Sequence, residues 1–266
     1  MKTQGRIIAA ILSVMMILTA LPLATFARAP EYADNDAQDS AYAGVKMDSA
    51  RIISEDTARR SENEKHFKLD DGTYLAVKYG YPIHTQNEIG EWEDIDLSFA
   101  ADENASSDVY ISRTDALTAA VSDGTTMQLV AVENAYPVSL TLTGFDMESA
   151  DEKAEAEPDE TSIYEENIEV IEATVKSSAL HFTDASQDVM LTYERTYSGI
   201  RQDVVLMQKP DDGKISFNLD IGDLTAVLNG SGSVEIKDGD EVKYTLPAPY
   251  MYDNENQNFS LLSYSL

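Results

Sequence analysis

The chain has 266 residues, no cysteine, and a formal net charge of −29. Without cysteine there is no thiol catalysis, no cysteine–zinc site and no disulfide staple, so the fold rests on core burial. So acidic a chain is repelled by nucleic acid and by anionic lipid, which leaves divalent cations, basic proteins or nothing beyond solvent as electrostatic partners.

The first segment reads as a targeting signal. Lys2 and Arg6 form a positive start, Ile7 to Leu23 is apolar apart from Ser13 and Thr19, and Thr25 and Ala27 supply small residues for cleavage. The apolar run is short for a membrane span, and Pro22 favours cleavage over anchoring. No cysteine follows it, which excludes a lipoprotein. The expected division is therefore a signal peptide over 1–27, a disordered acidic leader over 28–64, and a β module over 65–266, as one domain or two small sub-domains. Removal of Lys2 and Arg6 with the signal takes the net charge from −29 to −31. The leader is rich in Ala, Asp, Glu and Ser. A short helix around Asp48–Arg60 would have little apolar surface to bury.

From Lys65 onward the pattern is that of strands and tight turns. Phe67 and Leu69 lead into Asp70-Asp71-Gly72, and Tyr74 to Tyr81 leads out, which is a hairpin. Ile83 to Thr85 forms a short strand, Gln86 to Gly90 a polar turn, and Trp92 to Phe99 a further strand. After a polar loop at Ala100–Ser107, Val109 to Ile111 begins the next strand. Leu117 to Val121 and Thr125 to Val132 flank a second Asp-Gly turn at Asp123-Gly124, and Val138 to Thr143 alternates.

The composition then shifts. Asp146 to Glu172 holds twelve acidic residues and a single basic one, Lys153. The part over 146–166 is predicted to be an acidic surface insertion, a charge run being most often a solvated face. Ile168 to Val175 and Ala179 to Phe182 are predicted strands. Val189 to Asp253 is the densest strand region. Ile215, Phe217, Leu219 and Ile221 alternate with polar residues, and Asp212-Gly213 and Asp238-Gly239 each predict a reversal. Pro247 and Pro249 end the pairing. The fold class predicted is mainly β, an antiparallel sandwich-like module rich in hairpins.

Chemistry is hard to find. His66, His84 and His181 lie in separate strands with no second ligand at metal spacing. There is no G-x-S-x-G elbow, H-E-x-x-H or phosphate loop, and Asn229-Gly230-Ser231-Gly232-Ser233 lacks the lysine and helix of a phosphate site, so it reads as a turn. Carboxylates are too numerous to single out a glycosidase pair. Asp34-x-Asp36 and Asp253-x-Glu255 are weak calcium candidates without an EF-hand pattern. Three Asn-x-Ser triplets, at Asn104, Asn229 and Asn258, match the glycosylation pattern. Tyr79, Tyr81 and Trp92 are the candidate aromatic patch for stacking on a sugar. No catalytic residue, metal ligand or cofactor is assigned.

Two blocks resemble the N-terminal region of large secreted bacterial surface proteins of the wall-associated, RHS (YD-repeat) and DNRLRE-domain type. One is Lys65-His-Phe-Lys-Leu-Asp-Asp-Gly-Thr-Tyr, followed by Tyr81-Pro-Ile-His84 and Gly90-Glu-Trp-Glu-Asp-Ile-Asp96. The other is Asp188-Val-Met-Leu-Thr-Tyr193, Gly199-Ile-Arg-Gln-Asp-Val-Val-Leu206 and Leu246-Pro-Ala-Pro-Tyr-Met-Tyr-Asp253. Arg201-Gln202 stands where that pattern more often has Lys-Glu. The resemblance implies a secreted, non-enzymatic module, at the cell surface or wall. Its partners would be downstream domains of a longer polypeptide or cell-wall components. It would meet the membrane only transiently, through the signal. The alternatives are a carbohydrate-binding module using the aromatic patch and, behind it, a carboxylate-based glycosidase.

Overall fold

The computed structural model describes residues 10–18, 49–105, 108–131, 136–150, 163–172, 174–210, 213–253 and 259–266. They form a mainly β, antiparallel, sandwich-like architecture, as the hairpin pattern predicts. The chain divides into two compact units. One comprises Met1–Pro22, Leu97–Lys153 and Ser177–Leu266, the other Leu23–Asp96 and Ala154–Lys176. Strand β1 (Ala10–Leu18) belongs to the larger unit.

The smaller unit is built on a three-stranded sheet of β2 (Ile52–Glu55), β3 (Glu64–Leu69) and β4 (Tyr74–Lys78), in that order. The turn between β3 and β4 is closed by Asp71, whose carboxylate accepts from the Thr73 N–H and hydroxyl at 2.9 and 2.6 Å. The two-residue period of β3 buries Lys65, Phe67 and Leu69 on one face. Opposite them, Leu75 and Val77 of β4 pair with Phe67 and Lys65. A separate hairpin joins β5 (His84–Gln86) to β6 (Trp92–Asp94). Ala50, Ile52, Phe67, Leu69, Leu75, Val77 and Ile171 make the apolar core.

Three expectations change here. The acidic leader was to stay unstructured as far as Glu64, yet Ala50 and Ile52 are buried and β2 pairs with β3. A few apolar residues suffice because the sheet gives them a face to cover; residues 28–48 lie outside the described residues. In place of a helix around Asp48–Arg60 there is a single 3-10 turn, Thr57–Arg59. The predicted strand at Ile168–Val175 is instead helix α1 (Ile163–Glu172). Its β-branched residues resemble a strand, but burial falls on Asn167 and Ile171, four residues apart and therefore on one helical face. Asn167 then takes the place of a neighbouring strand. Its amide donates to the Ala50 carbonyl, and its oxygen accepts from the Ile52 N–H, both at 2.8 Å. The acidic stretch 146–166 is thus not simply a surface loop, although residues 151–162 within it lie outside the described residues.

The larger unit holds two sheets. The first begins with β7 (Ala100–Ala101), β8 (Val109–Arg113), β9 (Leu117–Ser122), β10 (Thr126–Ala131) and β11 (Pro137–Leu142). The chain continues through β12 (Glu148–Ala150), β13 (Ala179–Asp184), β14 (Val189–Thr196) and β15 (Gly199–Leu206). It ends with β16 (Phe217–Asp220), β17 (Thr225–Leu228), β18 (Val234–Asp238), β19 (Glu241–Leu246), β20 (Tyr250–Asp253) and β21 (Phe259–Leu261). One sheet runs β16-β11-β10-β9-β8-β7. The other runs β12-β13-β14-β15-β1-β19-β18-β17, with β20 pairing β1 and β21.

Strict alternation of buried and half-buried positions along β9, β10 and β14 feeds one apolar core shared by both sheets. Two tyrosine hydroxyls tie the layers together. Tyr193 of β14 donates to the Gly124 carbonyl at 3.0 Å and accepts from the Gln202 amide at 2.7 Å. Tyr244 of β19 donates to the Tyr136 carbonyl at 2.6 Å and accepts from the Ala131 N–H at 3.1 Å.

The Asp123-Gly124 turn takes positive φ at both residues, 51° and 64°, as such a hairpin requires. Gly124 also has no room for a side chain: a Cβ would lie 2.8 Å from Met147 Cβ and from Phe182 Cδ1. The reversal expected at Asp212-Gly213 is different. Gly213 closes a turn onto the Pro210 carbonyl at 2.9 Å, but the strand after it, β16, crosses to the other sheet and pairs with β11. There Phe217 and Leu219 are half-buried at a sheet edge, packed on the shared core with Ile215 and Ile221. Ala10–Leu18, within the segment read as a targeting signal, is an interior strand of the larger sheet.

Candidate functional site

The densest convergence of titratable side chains lies in the smaller unit. Three local features produce it. The β3 alternation points Lys65 inward with Phe67. The residue after the 3-10 turn is Arg60. The β5–β6 register pairs His84 with Asp94. Lys65 Nζ reaches Asp94 Oδ1 at 2.6 Å and donates to the Thr174 carbonyl and hydroxyl at 3.0 and 2.9 Å. Arg60 spans Glu55 with two bonds, 2.6 and 2.9 Å, and donates to Asp94 Oδ2 at 2.9 Å. His84 Nδ1 donates to the Ser61 carbonyl at 2.5 Å, which leaves its Nε2 facing Asp94 Oδ1 at 3.4 Å.

The electrostatics follow from burial. Burial pushes the Asp94 carboxyl upward, but the bonds and charges of Lys65 and Arg60 outweigh it and hold the group below the usual carboxylate range. Burial is also the largest influence on His84 and lowers its pKa. The Ser61 carbonyl and Asp94 pull it back only in part, and the cations Arg60 and Lys65 oppose a further positive charge. The His84 and Lys65 side chains are 0% and 1% exposed. One carboxylate thus holds β3, the segment after α1, and the β5–β6 hairpin together.

Of the three aromatic candidates, Tyr79 and Tyr81 come together, with ring centroids 6.1 Å apart and planes tilted by 48°. Tyr81 is exposed, while Tyr79 packs against the smaller core. Trp92 stands on β6, half-buried, and its carbonyl accepts from Arg60 at 3.5 Å. In the larger unit a depression of about 400 Å³ is lined by Gln128, Tyr136, Ser139, Asp220 and Asp223 among others. Gln128, Ser139 and Asp220 occupy directly opposed positions on β10, β11 and β16 and so share one face.

His66 lies 3.9 Å from Glu64, and His181 bonds the Thr192 hydroxyl at 3.2 Å. Among the described residues no three His, Asp or Glu side chains are grouped to hold a metal ion. Asp34, Asp36 and Glu255 lie outside them. Asn229 closes its turn as expected, its oxygen accepting from the N–H groups of Ser231 and Ser233 at 3.0 and 3.1 Å and its amide donating to Glu235.

Sequence reasoning missed the buried ionic network. The signal was present: Lys65 shares strand parity with Phe67 and Leu69, so it had to point inward and needed a carboxylate. Comparison with known proteins adds no identity. No family model matches the chain, and none of the curated proteins or solved structures matches it.

Proposed function

We propose that this chain is a secreted, non-enzymatic β module of a bacterial surface-associated protein, with a scaffold or interaction role. The observation that carries the reading is the closed state of the ionic network. The side chains best suited to acid–base work, His84, Lys65 and Asp94, face one another, with His84 and Lys65 buried. The signal-like start, the acidic surface and the two blocks of resemblance support the same reading. A carbohydrate-binding role is the second reading, favoured by the Tyr79–Tyr81 pair with its exposed outer ring.

The test is fractionation of the producing cells into medium, wall and cytoplasm, with N-terminal sequencing of the product. A chain beginning at Arg28 in the medium or wall is expected, with no turnover across glycoside, ester and peptide substrates. Hydrolysis abolished by a single carboxylate substitution, or an intact residue 1 found only in the cytoplasm, overturns the reading.

A further inference from the structure

Strand β1 is the most consequential feature left unexplained. It pairs with β15 over eight residues, from Ala10 opposite Leu206 to Ile17 opposite Gly199. Along its other edge it pairs with β20 over four residues and with β19 over two. β15 and β19 are not paired to each other. Strands two places apart in a sheet stand roughly 9.5 Å from one another, too far for a ladder bond. If the first 27 residues are removed as a leader, the rim of β15 and the rims of β19 and β20 lose their backbone partners together. The positions of β15 across from Ala10, Leu12, Val14 and Met16 are Leu206, Val204, Gln202 and Ile200, all buried, so the gap opens onto the core. Orphaned backbone groups beside a core are costly, and a strand is the element that satisfies both rims at once.

A second observation points into the same gap. Gln202 is fully buried and stands opposite Val14. Its amide donates to Tyr193, but its oxygen Oε1 meets no donor among the described residues. Val14 has no side-chain donor to offer.

We propose that the mature chain, without residues 1–27, accepts an extended segment of a partner polypeptide into the slot between β15 and β19–β20. The segment runs antiparallel to β15, carries small or aliphatic residues at alternate positions, and has a hydroxyl or amide donor opposite Gln202. This is β-strand addition, in which main-chain bonds give affinity and alternate side chains give specificity. The leader shows that a nine-residue strand of this kind fits. The inference rests on the reading that the leader is removed.

The experiment uses the full chain with a protease site inserted after Ala27, so that the protein folds before it is cut. After cleavage, a labelled peptide of Ala10–Leu18 with lysine tails is added, alongside the same peptide carrying Val14→Thr. Uptake of label is expected, with renewed hydrogen-exchange protection of the Gly199–Leu206 amides, and the threonine peptide binding about five-fold tighter, as one added neutral hydrogen bond provides. A cut body that stays folded, keeps those amides protected and takes no peptide overturns the proposal, because the sheet has closed on itself or on residues 28–48. A cut body that dimerises and excludes the peptide overturns it as well, the occupant then being a second copy. N-terminal sequencing of the secreted product tests leader removal separately, so failure of that premise and failure of the slot are told apart.

Discussion

The two units are stabilised in different ways. The larger one is a sandwich in which strict alternation feeds one continuous apolar core, and its Tyr193 and Tyr244 hydroxyls bond backbone across the layers. The smaller one has a core cluster of seven apolar residues among the described residues and adds a buried ionic network centred on Asp94. A small unit buries too little apolar surface to fix the placement of a two-stranded hairpin and a lone helix. Charged groups with directional bonds can supply that placement, at the cost of tolerating few changes. The difference teaches that the sandwich should respond mainly to changes of volume, and the smaller unit mainly to changes of charge.

The largest effect is expected from Asp94→Asn. It leaves the buried Lys65 without its carboxylate and removes one of the two carboxylates that hold half-buried Arg60, which costs about 3 kcal/mol or more. Trp92 is the only tryptophan and lies in the smaller unit. Its emission during urea unfolding therefore reports that unit, while far-UV circular dichroism is dominated by the sandwich. The Trp92 midpoint should fall and the dichroism midpoint should hold. Joint movement of both would break the comparison, since the units would then unfold as one.

Gly124→Ala tests the sandwich in the opposite sense. The new Cβ meets Met147 and Phe182 at 2.8 Å and must also adopt a positive φ, together costing about 3 kcal/mol. Here the dichroism midpoint should fall and the Trp92 midpoint should not. An unchanged dichroism midpoint would mean that the turn relaxes and the layers are less tightly packed than they stand.

The smallest effect is one of pH. The folded-state pKa of His84 lies below its unfolded value, so between the two the unfolded chain binds the proton and the folded chain does not. The stability that neutral His84 contributes is thus fully present above the unfolded value of about 6.5 and is lost as pH falls toward the folded one. The smaller unit should weaken on mild acidification. Asp184 of the sandwich is held at about 2 by bonds from the Ser186 hydroxyl and the Asp146 N–H, so its contribution is fully present above the ordinary carboxylate value and is lost as the pH falls from there through about 2. His84→Gln should flatten the pH dependence of the Trp92 midpoint between pH 5 and 7. If the slope survives that substitution, His84 is not its source.

Much of the fold was legible because strands announce themselves locally. Alternation at Leu117–Val121 and Val189–Tyr193, and the Asp-Gly pairs at 123 and 238, depend only on a two-residue period and on a turn's need for positive φ. The candidate site was less legible. Tyr79 and Tyr81 share a strand end, so their pairing follows from proximity, but Trp92 belongs to a separate hairpin. Glu55, Arg60, Lys65, His84 and Asp94 span some forty residues and meet only through sheet register. Ile168–Val175 misled because β-branched residues suit a strand in isolation, whereas a facing sheet selects the helix that presents Asn167 and Ile171 together.

The sequence by itself determined the antiparallel β character, the inward Lys65, the turns and the acidic surface, because these follow from side-chain period, residue conformational preference and charge count. Only the tertiary structure decided that Asp94 is the carboxylate shared by Lys65 and Arg60, that β16 crosses between sheets, and that Ala10–Leu18 fills a gap between β15 and β19–β20. Those outcomes depend on which distant backbone edges are brought within hydrogen-bonding reach, and no local preference encodes that distance.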